Sequence, residues 1–270
     1  NHVTLVSARG VITGKNDEGY TVTAGGETYV GKRILVATGS SPAVPPIPGL
    51  KEGLAAGFVC TNREILALTE KPEHLVVIGG GVIGLELASY FTSIGSKVTV
   101  IEMLDHIAGE NDAELVGILK KSFEKRGVNF YLSAKVTEVT ANAVKYEKDG
   151  VVSEVVCDKV LLSIGRRANT KDIGLESIHV LTERGAIVTD AHMKTNQPEV
   201  YAAGDVNGKS MLAHTAYREA EVAVNIMLGK KDVMRYEAVP GVLYTNPELS
   251  AVGETEASAK AKGLDFTCVK

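Results

Sequence analysis

Three glycines and a glutamate carry the clearest chemistry in the chain. Gly79, Gly81 and Gly84 stand in Val76-Val77-Ile78-Gly79-Gly80-Gly81-Val82-Ile83-Gly84-Leu85-Glu86, and Glu102 follows 21 residues beyond Gly81. In a GxGxxG turn the first glycine permits a tight bend after a strand. The second lets the backbone approach a pyrophosphate, and the third lets the following helix pack closely on the sheet. The phosphates then rest on the free N–H groups and positive dipole end of that helix. A carboxylate at the end of the next strand accepts from adenosine-ribose hydroxyls and repels a 2′-phosphate. Glu102 is followed by Met103-Leu104-Asp105 with no arginine, which points to NAD(H) over NADP(H).

Other candidate positions are less specific. Ala37-Thr38-Gly39-Ser40 and Ser163-Ile164-Gly165-Arg166-Arg167 follow strand-like runs, and each reads equally well as a plain strand-ending turn. Val200-Tyr201-Ala202-Ala203-Gly204-Asp205 puts a carboxylate at the C-terminal end of an apolar strand, where open α/β sheets bind ligands. Met211-Leu212-Ala213 leads to His214, the expected start of a helix whose positive end suits a partly negative group. His2, His74, His106, His179 and His192 are read as surface or turn residues. Cys60, Cys157 and Cys268 lie 97 and 111 residues apart and are read as packing residues. No CxxC pair is present, so neither a local metal site nor a redox dithiol is expected within this sequence.

The elements that must position these residues alternate. Residues 75–78, 97–101 and 128–131 read as strands, and 82–93 and 112–125 as helices between them. In the first helix Ile83, Leu87, Ala88 and Phe91 are expected inward; in the second, Leu115, Ile118, Leu119 and Ser122. That βαβαβ order implies a parallel sheet. Residues 136–139, 143–146 and 151–157 form an expected antiparallel meander turning at Asp149-Gly150, and 159–164 returns as a strand. Before the alternation, 3–8, 10–13, 20–23 and 28–30 read as a small antiparallel set and 32–37 as a buried strand. Five of the eight prolines fall between 42 and 72, suggesting a linker interrupted by a short helix at 62–68. After it, a helix is expected at 214–228, strands at 241–245, 249–252 and 265–269, and a helix at 254–262.

Composition narrows the class. The 270 residues hold 29 Lys and Arg against 33 Asp and Glu, a net charge of −4, with no basic block, so nucleic acid is not an expected partner. No run approaches 18 apolar residues, so no membrane-spanning helix is expected. Sparse cysteine and no secretory pattern point to the cytoplasm. The chain begins at Asn1 without Met and stops at Lys270 within a strand-like run. Both ends read as cuts in a longer polypeptide, the alternative being tag removal and ordinary termini.

Taken in order, ILVATGS, VVIGGGVIGLELA, VTVIE, LLSIGRRANT, VYAAGDVNG, MLAHTA and YTNPELSAVG resemble the pyridine nucleotide-disulfide oxidoreductases, most closely the dihydrolipoyl (lipoamide) dehydrogenase branch. The resemblance covers nearly the whole chain. It implies an α/β fold in which a Rossmann-like NAD-binding domain, parallel sheet plus antiparallel meander, is inserted in part of a second Rossmann-like, FAD-binding domain. The implied bounds are 1–69 for partial FAD domain and linker, 70–187 for the NAD(H) domain, 188–239 for the rest of the FAD domain, and 240–270 for the start of an interface domain.

The resemblance also implies the sites. NAD(H) would meet Gly79, Gly80, Gly81, Val82, Ile83, Gly84, Glu86, Glu102, Val136 and Gly165, with Glu86 matching a glutamate that pairs with a lysine beside flavin N5. FAD would meet Gly10 near its adenine, Thr38, Gly39 and Ser40, Asp205 at the ribityl chain, and Met211, Leu212, Ala213 and His214 at the pyrimidine side. Ala168 stands where the family has proline, and Arg218-Glu219-Ala220 where it has an acidic-acidic-glycine run; neither falls on an expected cofactor contact. The implied parent reaction is oxidation of a protein-bound dihydrolipoyl group through a redox disulfide and FAD to NAD⁺. The implied assembly is a homodimer serving lipoyl domains of 2-oxo acid dehydrogenase or glycine cleavage complexes. The family's CxxxxC pair and His–Glu pair match no segment of this sequence. No position here is therefore assigned as catalytic, FAD is expected to bind weakly or not at all, and the chain alone is expected to be inactive. A mercuric reductase or NADH oxidase branch, and a non-catalytic NAD-binding module, remain the alternatives.

Overall fold

The structure, a computed structural model, describes residues 2–269. Asn1 and Lys270, which entered the expectation of cut ends, lie outside the described residues. Two compact units share the chain. One joins residues 1–41 to 166–236, and the other joins 42–165 to 237–270.

The second unit is built on a five-stranded parallel sheet in the order Val59–Cys60, Lys159–Leu162, His74–Ile78, Lys97–Ile101, Asn129–Tyr131. Its central strands read as unbroken apolar runs because both faces are covered; Leu75, Val76 and Val77 have no exposed surface. Helices Val82–Ser93 and Ala113–Lys125 make the crossovers, giving the expected βαβαβ order. Asp112 starts the second helix by accepting from the N–H groups of Glu114 and Leu115. Lys135–Val139, Ala143–Lys148 and Val151–Val156 form the expected antiparallel meander. Its turn is Asp149-Gly150, both at positive φ (52° and 76°), the primed turn that matches strand twist.

The first unit holds an antiparallel sheet of Gly10–Lys15, Tyr20–Ala24 and Glu27–Gly31 and a parallel pair of Ile34–Val36 with Val200–Ala202. Helix Ala213–Met227 follows a single 3₁₀ turn at Asp205–Asn207. Ile12, Tyr20, Val36, Leu175, Val200 and Val206 share its core. Among the described residues no helix is long and apolar enough to cross a membrane.

Several expectations are corrected. Residues 3–8 form no strand, and Val3 and Leu5 are exposed; β-propensity without a partner strand makes no ladder. Residues 265–269 also lack strand structure. The proline-rich stretch is more than a linker, since helix Leu50–Ala55 and strand Val59–Cys60 lie in it, and Leu50 is fully buried. The inward faces of both crossover helices are shifted in part. Ala88 and Phe91 are buried as expected, with Leu85 beside them and Leu87 only partly buried; in the second helix Leu119 is buried as expected, but Val116 and Phe123 accompany it while Leu115 and Ile118 are exposed. Phe123 sets that face, meeting Phe130 edge-on at 6.0 Å; truncating so buried a ring costs about 3–5 kcal/mol. His74 is half-buried in the central sheet rather than on a turn. Cys60 and Cys157 are buried but Cys268 is exposed. The breaks between units fall at 41/42, 165/166 and 236/237, beside expected ones at 69/70, 187/188 and 239/240. Val59–Cys60 pairs with Lys159–Leu162, which draws residues before 70 into the central sheet, and Ile187 packs in the other core.

Candidate functional site

The glycine turn begins where strand His74–Ile78 ends. Gly79 takes φ 106° and donates its N–H to Ile101 O at 2.9 Å. A Cβ at Gly79 would run into the Ser163 carbonyl, and one at Gly84 would run into Gly79 O, with Val77 Cγ1 at 3.1 Å. Packing within the unit therefore explains the first and third glycines. Gly81 differs. It is the N-cap of helix Val82–Ser93 with no side-chain cap bond, and a Cβ there would meet no protein atom within 4 Å. The space beside it is open, and the helix's first N–H groups face it without a capping side chain.

Glu102 stands at the end of the neighbouring strand, Lys97–Ile101. Its Oε2 accepts from Gly80 N at 2.6 Å and its Oε1 from Leu104 N at 2.7 Å. Ala108 N donates back to Gly80 O at 2.8 Å, closing the loop over the turn. Glu102 and Leu104 border a cleft of about 550 Å³. Of the residues expected to meet NAD(H), the structure brings Gly79, Gly81, Glu102, Val136 and Gly165 together on its walls. Met103, Leu104, Ile164, Pro45 and Ile47 give it apolar walls, and Lys135 is its one basic side chain. A cleft with apolar walls, a fixed carboxylate and an uncapped helix start has the chemistry to receive a flat ring system, a hydroxylated sugar and a pyrophosphate.

The remaining expected NAD(H) residues do not line the cleft themselves. Gly80 is tied to it through Glu102, Val82 and Ile83 form the first helical turn, and Gly84 is buried beneath. Glu86 faces elsewhere: its Oε1 accepts from the backbone N–H of Tyr244 at 2.9 Å. Met103 and Leu104 were within reach of sequence reasoning, since they directly follow the glutamate. Pro45, Ile47 and Lys135 carry no local signal and reach the cleft only through the fold.

A second constellation lies in the other unit. Ser40 Oγ donates to Asp205, while Arg166 donates to Ser40 Oγ at 2.7 Å and Ser40 O at 2.9 Å. The guanidinium is 3.8 Å from the Asp205 carboxylate. Thr38 and Asn169 exchange bonds, Thr38 Oγ1 to Asn169 O at 2.7 Å and Asn169 Nδ2 to Thr38 O at 2.9 Å. Gly39, at φ 69°, has open space where a Cβ would be. Helix Ala213–Met227 starts without a side-chain cap, and Met211, Ala213 and His214 are exposed, with Leu212 half-buried. Gly10 pairs with Ala24 in the antiparallel sheet. Open space at Gly39 and an uncapped helix start fit a second nucleotide-type cofactor. Sequence reasoning missed Arg166 and Glu219. The Glu219 carboxylate accepts from Gly204 N at 2.6 Å, so one position of the Arg218-Glu219-Ala220 run, though on no expected contact itself, holds the residue before Asp205.

The cysteines are free. Burial pushes the Cys60 thiol up and the Cys157 thiol to about 12, so both are poor thiolates. Among the described residues no group of three or more His, Cys, Asp or Glu side chains is gathered for a metal ion.

Comparison with known proteins gives a consistent set. The family described as pyridine nucleotide-disulphide oxidoreductase matches residues 1–220. The chain is 39% identical over 249 residues to a dihydrolipoyl dehydrogenase of Mycoplasma pneumoniae, covering 91% of this chain and 54% of that protein. It is 42% identical over 228 residues to one from Acholeplasma laidlawii, covering 84% and 66%. Among solved structures it is similar to the HOCl-induced flavoprotein disulfide reductase RclA of Escherichia coli, with a TM-score of 0.87, 27% identity and coverage of 98% and 60%. The chain thus spans 54% and 66% of the length of these two curated relatives.

Proposed function

This chain belongs to the pyridine nucleotide-disulphide oxidoreductase family, and from that premise we propose that it is the NAD(H)-binding portion of a flavoprotein dihydrolipoyl dehydrogenase. The observation that carries the reading is the pairing of an open Gly81 at an uncapped helix start with the Glu102 carboxylate on one cleft. Glu102 would accept from the adenosine ribose and disfavour a 2′-phosphate, which selects NAD(H) over NADP(H). Gly79 to Ile83 would hold the pyrophosphate, Val136 and Leu104 the adenine, and Gly165 the approach to the nicotinamide. In the other unit Thr38, Gly39, Ser40, Asp205 and the Met211–His214 segment would line FAD, with Gly10 near its adenine. Hydride chemistry belongs to the nicotinamide and the flavin when bound; the chain binds, orients and excludes water.

The parent enzyme would be a cytoplasmic homodimer that oxidises dihydrolipoyl groups carried by 2-oxo acid dehydrogenase or glycine cleavage complexes. Free, buried Cys60 and Cys157 with raised pKa values do not supply the redox disulfide, so this chain alone would not turn over dihydrolipoamide. NADH titrated into the chain, followed by its fluorescence, should show saturable binding that weakens about tenfold or more in Glu102→Gln. Absence of saturable binding by the wild-type chain would remove the reading.

A further inference from the structure

Glu219, on helix Ala213–Met227, is a carboxylate with no exposed surface. Its Oε2 accepts from Gly204 N at 2.6 Å and from Asn207 Nδ2 at 2.8 Å, and its Oε1 accepts from the Tyr236 hydroxyl at 2.6 Å. All three donors are neutral. Burial and the adjacent carboxylate push the Tyr236 hydroxyl far up, so it stays protonated and donating. A carboxylate deprived of water is tolerated only where such bonds offset the loss. An apolar residue of equal size often serves stability as well or better, so the geometry enforced by this acid calls for its own explanation.

That geometry is a clamp on one turn. Gly204 leaves strand Val200–Ala202 at φ 78°, ψ −162°, a conformation open mainly to glycine. Asn207 ends the 3₁₀ turn Asp205–Asn207. Glu219 therefore grips the residue before Asp205 and the residue that closes its turn, while Ser40 and Arg166 meet the Asp205 carboxylate directly. We propose that Glu219 is a positioning residue for Asp205, holding that carboxylate where it meets the polyol chain of a flavin dinucleotide. The ligand half of this inference rests on the FAD reading above.

The test uses the whole chain and backbone hydrogen exchange, with and without FAD near its solubility limit. Glu219→Ala should speed exchange at 203–208 about tenfold or more while strands 34–36 and 75–78 keep their protection. Glu219→Gln retains an acceptor for Gly204 and Asn207 and should restore exchange to within about threefold of wild type. FAD-induced protection at 38–40 and 203–208 should be lost in Glu219→Ala and retained in Glu219→Gln. Should Glu219→Ala fail to fold, Asn207→Ala and Tyr236→Phe, each removing one donor, carry the same comparison; loosening confined to 203–208 supports the clamp. Unchanged exchange at 203–208, or loosening spread evenly over the unit, overturns it. Absence of any FAD effect on the wild-type chain overturns the flavin reading, and the exchange comparison still decides the clamp.

Discussion

The Glu102 carboxylate lies 2.6 Å from the backbone nitrogen of Gly80, so the acid that follows one strand is fixed by the turn that follows its neighbour. The two strands run in parallel register, Ile78 beside Ile101, which brings the two loops together. Leu104 N holds the second oxygen at 2.7 Å. A carboxylate so held has lost its rotamer freedom before any ligand arrives, which lowers the entropy cost of the ribose contact proposed for it. Replacing Glu102 by Ala removes both anchors and the ribose acceptor. The expected outcome is a loss of about 1.5–3 kcal/mol in NAD binding, read by calorimetry, with a smaller NAD/NADP preference.

Gly81 and Gly84 separate ligand effects from folding effects. Gly81→Ala meets no protein atom, so thermal stability should stay near wild type while NAD affinity falls about tenfold or more, because the methyl group occupies the phosphate's approach. Gly84→Ala drives a Cβ into Gly79 O and should cost about 1–3 kcal/mol of stability from overpacking. Parallel melting and NADH titrations check both; equal behaviour of the two variants would count against this division of roles.

Arg126 ties Asn246 to helix Val82–Ser93 within one unit. Its guanidinium donates to Asn246 O at 2.6 Å, Ser89 O at 3.1 Å and Ser93 Oγ at 2.9 Å. Ser89 Oγ accepts from Asn246 N at 3.0 Å, and Glu86 from Tyr244 N. Arg126→Ala should destabilise by about 1.5–3 kcal/mol, with faster hydrogen exchange at 244–247 and little change in the buried strand 75–78.

His74 predicts a pH dependence. Burial, reinforced by Lys97, holds its imidazole below the ordinary 6.5, and Nε2 lies 3.0 Å from Thr99 Oγ1. The unfolded chain then binds more protons than the folded one once pH drops below 6.5. Its contribution is complete above that value and falls away as pH decreases toward the folded-state pKa. Urea midpoints at about pH 7.5 and about pH 5.5 should therefore differ less in His74→Gln than in wild type.

The glycine turn, the position of Glu102 beside it and the meander were legible because each is written locally: a strand, GxGxxG and an acid at the next strand's end, or Asp149-Gly150 between alternating runs. Helix faces were legible only in part: Ala88, Phe91 and Leu119 turn inward as their spacing implies, but Leu85 and Leu87 are chemically alike, and the sheet decides which of them is buried. Leu50 hides among prolines, and its burial depends on the meander strand it packs near, a long-range fact. The site showed the same division. Glu102 announces itself by spacing, whereas Pro45, Ile47 and Lys135 enter the cleft by topology. Glu219, lying in a helix with no motif of its own, becomes meaningful only when Gly204 is seen beside it.

The central claim is a cleft built for NAD(H), and a calorimetric titration of the chain with NADH and, in parallel, NADPH tests it most directly. NADH should bind at one site per chain with about ten- to a hundredfold preference, the worth of a charged hydrogen bond gained against a repelled phosphate. Equal or tighter binding of NADPH would contradict the role given to Glu102, and heats indistinguishable from dilution for both would contradict the cleft itself.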